Sequence, residues 1–291
     1  MPSFSLIKPL GWAVFMSKGH KLPTKADWKQ PSGDPAGNQY RDGIKAENWV
    51  AVPQGLPLFT PQNPHKYHMD SCNTLGKQYK AFHDTMLDAV QFGHNLWRLQ
   101  AKISGLIING PVAVGKPGCL QGPELKNLIK TYPACILMMG NEGKWRDAVA
   151  TGVSTCFKKF QDKVTVPGLP WYPAFAAFPG PQAPPMPNIP TPLSACISAQ
   201  AAMMLMPNNL KKEMINALPQ GLRDKDHDKH YETLFESIAT AVSAGFAIWI
   251  NAQMVMNVLG RGPIPTFAPP YVPVGPVVGG GNIAIPGHLA V

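Results

Sequence analysis

The densest group of reactive side chains is the run RDKDHDKH at residues 223–230. Asp226, His227 and His230 could offer a carboxylate and two imidazoles on one helical turn, a partial ligand set for a metal such as zinc. The set is incomplete, because neither H-E-x-x-H nor any other full ligand pattern surrounds it. Acids ahead of an apolar helical pattern also suit a helix N-terminus, where the backbone dipole favours negative charge. The spacing therefore favours a solvated loop over a metal centre. His65 and His68 form a weaker version of the same signal. Five cysteines, at 72, 119, 135, 156 and 196, are odd in number and lack C-x-x-C spacing. That excludes a disulfide framework and a zinc-finger pattern and predicts buried free thiols. G-x-S-x-G and phosphate-loop patterns are absent, and the glycines at 279–281 precede no helix. The expectation is no catalytic residue, no metal and no cofactor.

Composition narrows the class. Charged residues make up 15% of the 291, while 45% are hydrophobic and 32 are proline. Such a chain can build a core and needs few charges on its surface, as when surface is shared with other subunits. The net charge of +9 comes from scattered lysines and arginines with no run longer than a pair. A nucleic-acid footprint is a patch or a stripe, so no specific nucleic acid is expected. Residues 237–260 carry no charge and are long enough to span a bilayer. The corresponding stretch 85–108 carries Asp88, His94, Arg98 and Lys102, which a spanning helix tolerates poorly. No membrane span is expected.

That correspondence comes from an internal repeat. At a shift of 152 residues and without a gap, Tyr79, Ala89, Val90, Gly93, Trp97, Gly110 and Pro111 recur as Tyr231, Ala241, Val242, Gly245, Trp249, Gly262 and Pro263. A weaker third copy holds Ala148, Val149, Gly152 and Pro170, with its glycine and proline 18 apart as in the other two. In each copy apolar residues recur at helical spacing, and a β-prone run then ends at a proline. The expected fold class is α+β, with helix–strand units in two clear copies and one weaker copy, and long irregular proline-rich arms. Gly93, Gly152, Gly245, Trp97 and Trp249 are expected in the repeat core, with the three glycines at one crowded level.

The expected organisation is an irregular arm over 1–77, a first unit over 78–130 and a second unit with its arm over 131–192. A helical connector follows over 193–230, then a third unit and arm over 231–291. Residues 167–192 hold ten prolines in 26 positions, and 263–276 hold six in 14. Extended proline-rich backbone has no internal hydrogen bonds. The aromatics on it, Trp171, Tyr172, Phe175, Phe178, Phe267 and Tyr271, are expected to anchor it on a neighbouring subunit. Residues 275–291 are expected to be a second docking segment.

The long N-terminal arm, the alanine-rich helix with its strand in SIATAVSAGFAIWINAQMVMNVLG, and the closing segment GPIPTFAPPYVPVGPVVGG resemble structural proteins of tailed bacteriophages and phage-like particles. The resemblance implies a non-enzymatic assembly protein of a head, neck, tail or baseplate. It would form homo-oligomers, contact other particle proteins and reside in a virion assembled in the host cytoplasm. Two other classes stay open: a metal-binding or hydrolytic enzyme using loop 223–230, and a membrane-active protein inserting 237–260.

Overall fold

Three helices carry the apolar stripes, and each ends where a strand begins. The computed structural model describes residues 7–18, 20–21, 59–60, 66–226, 228–265 and 275–289. The chain is α+β. In order, α1 (Lys8–Ser17), β1 (His20–Lys21) and β2 (Phe59–Thr60) precede α2 (Lys66–Gln100). Four short strands follow: β3 (Lys102–Ile103), β4 (Leu106–Asn109), β5 (Val112–Gly115) and β6 (Leu120–Gln121). Then come α3 (Leu125–Lys130), α4 (Pro133–Leu137), α5 (Gly140–Gln161), β7 (Val164–Pro170), α6 (Pro173–Ala176), β8 (Gln182–Pro187), β9 (Thr191–Pro192) and β10 (Ile197–Ser198). The connector contains α7 (Ala202–Leu205), α8 (Pro207–Ala217) and α9 (Gln220–Arg223). The chain continues through α10 (His230–Ala252), β11 (Met254–Val255), β12 (Leu259–Pro263) and β13 (Gly280–Asn282).

The boundary expected at residue 77 falls inside α2, and α1 is a helix within the expected irregular arm. The first turns of α2 are mostly polar, so they carry no apolar period for a sequence reading to find. The expected histidine His65, and the aromatics Phe267 and Tyr271, lie outside the described residues, as does His227.

The helices α2, α5 and α10 run side by side in one direction. Near their starts Trp145 lies 6.5 Å from Tyr231 and 5.5 Å from Phe235. Near their ends Trp97 packs edge-on against Phe157 at 4.7 Å and against Trp249 at 6.2 Å, and Phe160 meets Phe246 at 4.9 Å. Edge-to-face pairs at these separations add stability beyond the area they bury. The helix α1 lies antiparallel across α2 and α10, with Lys8 on Asp88 and Lys18 on Glu236.

Gly93 and Gly152 do not face each other. A Cβ on Gly93 would lie 2.7 Å from the backbone nitrogen of Ile129 in α3, and one on Gly152 would lie 2.7 Å from that of Met214 in α8. Each of these two glycines seats a different short helix. The long helices meet instead in the aromatic cluster around Trp97 and Trp249.

The helices α2 and α10 pass into a strand after a single residue, Ala101 or Gln253, whereas α5 passes through a turn at Asp162 and Lys163. Ala101 donates to Trp97 O at 2.8 Å, Asp162 to Lys158 O at 2.9 Å and Gln253 to Trp249 O at 2.8 Å. These positions lie 61 and 152 residues on from the first. At a shift of 61, Gly152 matches Gln91, and the counterpart of Gly93 is the buried Ser154.

Seven antiparallel strands form one sheet in the order β10-β7-β5-β4-β13-β12-β8. A further antiparallel bridge, Trp171 to Asn188, joins the residues just past β7 and β8. The row from β7 to β8 thus closes on itself. Buried and exposed residues alternate along β4 and β5, the pattern of a sheet with one face toward a core.

Candidate functional site

The candidate site is this strand ring and its outer face. Each long helix feeds a strand into the ring: β4 after α2, β7 after α5 and β12 after α10. Each of these is paired by a strand from another part of the chain. From the first unit β5 pairs β7, from the second β8 pairs β12, and from the third β13 pairs β4. The order is cyclic. Two of the three pairings also share a register, since Ile108 opposite Gly280 and Ile107 opposite Gly281 correspond, 152 residues on, to Gly260 opposite Met186 and Leu259 opposite Pro187.

Side chains lock each incoming strand to the start of the strand it meets. Asn282 Nδ2 donates to Ile103 O at 2.7 Å, and its Oδ1 accepts from Leu106 N at 3.0 Å. Asn188 Nδ2 donates to Val255 O at 3.1 Å, and its Oδ1 accepts from Val258 N at 3.0 Å. Ile103 and Leu106 become Val255 and Val258 at the shift of 152. At the shift of 61 the carbonyl is that of Val164, which accepts from Cys119 Sγ at 3.3 Å. The amide position there is Pro167, which has no N–H to satisfy, so a thiol suffices where the other two places need an amide side chain.

Inside the ring Trp171 is buried and its Nε1 donates to Met186 O at 3.1 Å. Gly260 makes room for it: a Cβ there would lie 2.9 Å from the indole nitrogen and 2.7 Å from Ile108 Cδ1. Beyond the ring, Gly287 N donates to Ala101 O, Met256 N to His288 O, and Ile103 N to His288 Nδ1 at 2.8 Å. An Nδ1 that accepts fixes the neutral tautomer with the proton on Nε2. Burial pushes the His288 pKa down to about 4, which keeps the ring in that form.

The outer face of the β4–β5 hairpin is apolar and open. Ile107 is 48% exposed, Val112 41% and Val114 50%, with Ile107 directly opposite Val114. On a second open segment, around the end of α4, Leu137 is 77% and Met139 78% exposed.

The loop at 223–230 does something else. Asp226 Oδ2 accepts from Tyr231 N at 2.9 Å, while Oδ1 lies 3.0 Å from His230 Nδ1. Both carboxylate oxygens thus serve the N-terminus of α10, as a capping acid does. Burial opposes the charge on Asp226, but the hydrogen bonds from His230 and the Tyr231 amide outweigh it and hold the carboxyl below its usual value. Among the described residues no group of three or more His, Cys, Asp or Glu could hold a metal ion. The five cysteines are free and buried. Burial raises each thiol pKa, to about 12 for Cys156 and Cys196, so none is a ready nucleophile.

The expected anchors divide. Trp171 and Phe175 are buried in the protein's own core, 6.0 Å apart, and cannot reach a neighbour. Phe178 packs partly against the same core, and Tyr172 is exposed. Residues 275–289 are docked too, but on this chain's own first unit and on β12. Trp97, Trp249, Gly152 and Gly245 are buried, as is Gly93. The locking residues Asn188, Asn282 and Cys119 went unread in the sequence. The repeated Asn-Ile at 188–189 and 282–283 was the available signal.

One helix among the described residues, α10, is long and apolar enough to cross a membrane, but 61% of that apolar window is buried inside the protein. Comparison of the chain with family models, curated proteins and solved structures found no match.

Proposed function

We propose that this chain is a non-enzymatic assembly protein, a structural component of a phage virion or phage-like particle that works through contacts between subunits. The observation that carries the reading is the open apolar face of Ile107, Val112 and Val114 on a rigid, ring-closed hairpin. Isolated apolar residues on a surface are ordinary, whereas apolar residues clustered on one element mark contact sites. The occupant in this reading is another copy of the chain, with other particle proteins adding to it.

The reading includes an internal origin for the fold. Three helix–strand units, two alike and one diverged, descend from one unit by repetition, and the matched helix exits, registers and Asn locks support this. A unit of this kind cannot bury its strand alone and depends on the next. Specific nucleic-acid binding plays no part in it, in keeping with lysines and arginines that are scattered along the sequence with no run longer than a pair.

The test is the mass of the native species by sedimentation over a wide concentration range. A discrete oligomer is expected. A chain that stays monomeric at high concentration overturns the proposal.

A further inference from the structure

The ring closes through a strand that need not come from the same chain. We propose that residues 275–289 act as an exchanged arm: in the assembled protein, each copy's β13 pairs with β4 of a second copy. This rests on the assembly reading above.

The cyclic order carries the inference. The hand-over from β5 to β7 links neighbouring segments of the chain, and so does that from β8 to β12. Only the third runs from the last unit back to the first, and it is made by the chain's end. The arm also pairs with β12, Gly260 opposite Asn282 and Arg261 opposite Gly281, so exchange renews that pairing on the second copy too, and every contact of the hand-over is one that a second copy would supply unchanged. These are the pairing of Gly280 and Gly281 with Ile108 and Ile107, the Asn282 lock on Ile103 and Leu106, and the His288 acceptor for Ile103 N–H. Exchanging an identical element between copies loses no contact and is a low-cost route to association.

Eleven residues, 264–274, separate β12 from Gly275, and a chain of that length spans up to ~35 Å when extended. The slot also borders the open face, because Ile107, opposite Gly281, is itself one of its exposed residues. Two copies joined by their arms would bring those faces together.

The experiment uses the full chain with Ile107→Cys and Gly281→Cys. The first position is exposed, and a Cβ at the second meets only Leu106 O at 3.8 Å. The five native thiols are buried. Equal amounts of ¹⁴N- and ¹⁵N-labelled chains are unfolded together, refolded and oxidised. The isotope content of the linked 107–281 peptides is then read by mass spectrometry, beside the native mass. Exchange predicts an oligomer in which about half of the linked peptides carry one label of each kind, as random pairing of identical arms requires. An oligomer whose linked peptides are all of a single label overturns the exchange and leaves the assembly reading standing. A monomer, read on the unsubstituted chain so that the loss of Ile107 from the open face plays no part, overturns both. An oligomer with no 107–281 link places the arm elsewhere and overturns the exchange as well.

Discussion

Asn188 and Asn282 make the same pair of backbone hydrogen bonds at sites 152 residues apart. Each donates to the carbonyl of one residue and accepts from the amide three residues later. A carboxamide is the side chain that can do both at once. Replacing Asn188 by Ala leaves Val258 N buried without its partner, while Val255 O keeps its place in the pairing with Thr191, and an unsatisfied buried group costs about 1–3 kcal/mol. Asn188→Ala is expected to destabilise by more than Asn282→Ala, since Asn188 is the more deeply buried of the two. Chemical denaturation of both variants checks the order. Equal and negligible effects would show that the locks do not hold the strands.

Close approach of helices predicts opposite outcomes at two glycines. Gly152→Ala puts a Cβ 2.7 Å from Met214 N and 2.8 Å from its Cα. A backbone cannot swing aside as a side chain can, so overpacking of about 1–3 kcal/mol is expected. Gly221→Ala in α9 meets nothing within 4 Å and should gain up to about 1 kcal/mol of helix propensity. Thermal melts of the two variants should move in opposite directions.

Acid should weaken the fold through His288. Its ordinary pKa of 6.5 is pushed down to about 4 in the folded chain, so between those values the unfolded chain holds a proton that the folded one does not. Stability therefore falls as pH drops through that window, by about 3 kcal/mol at most for this group, and stops falling on its account below pH 4. Burial lowers His83 and His94 in the same direction, and they add to the slope. The carboxyls held low, such as Asp226 and Glu236, begin to lose their contribution only near and below their ordinary values of 3.8 and 4.5. His288→Gln keeps an acceptor for Ile103 N–H and should flatten the stability profile between pH 6.5 and 4.5. A profile that runs parallel to the unsubstituted protein's would sink this assignment.

The helices were legible because their apolar residues repeat at 3.6 positions, and the ungapped match from Tyr79 to Pro111 pointed to the segments that become α2 with β4 and α10 with β12. The middle segment can be matched in two ways. Gly152 and Pro170 keep the spacing of Gly93 and Pro111, while the ends of the helices suggest a shift two residues longer, and α5 passes into its strand through a turn that the other two helices lack. The ring was invisible in the sequence because its pairings join residues far apart, such as Ile108 and Gly280, and no local pattern encodes a partner. The aromatics of the proline-rich segment misled for a related reason: extended backbone carrying Trp171 and Phe175 looks the same whether its slot lies on a neighbour or on its own sheet. At loop 223–230 the solvated-loop reading left out one detail, that Asp226 caps α10 with both oxygens.

The open face should govern association without governing the fold. Ile107 and Val114 face each other across the β4–β5 hairpin with their side chains outward, so Ile107→Thr with Val114→Thr removes apolar surface and keeps two β-branched strand residues. Exposed substitutions of this kind stay within about 0.5 kcal/mol of neutral, and the melting temperature of dilute protein should hardly move. The native mass should fall, because a contact loses about 25 cal/mol for each Å² of apolar area withdrawn from it, and a central pair of side chains carries a large share of a contact's strength. The measurement is sedimentation of the double variant beside the original chain, with a lysine pair, Ile107→Lys with Val114→Lys, as the stronger perturbation. An unchanged oligomer in the lysine variant would mean that subunits meet elsewhere, and the exposed segment of Leu137 and Met139 would be the next surface to alter.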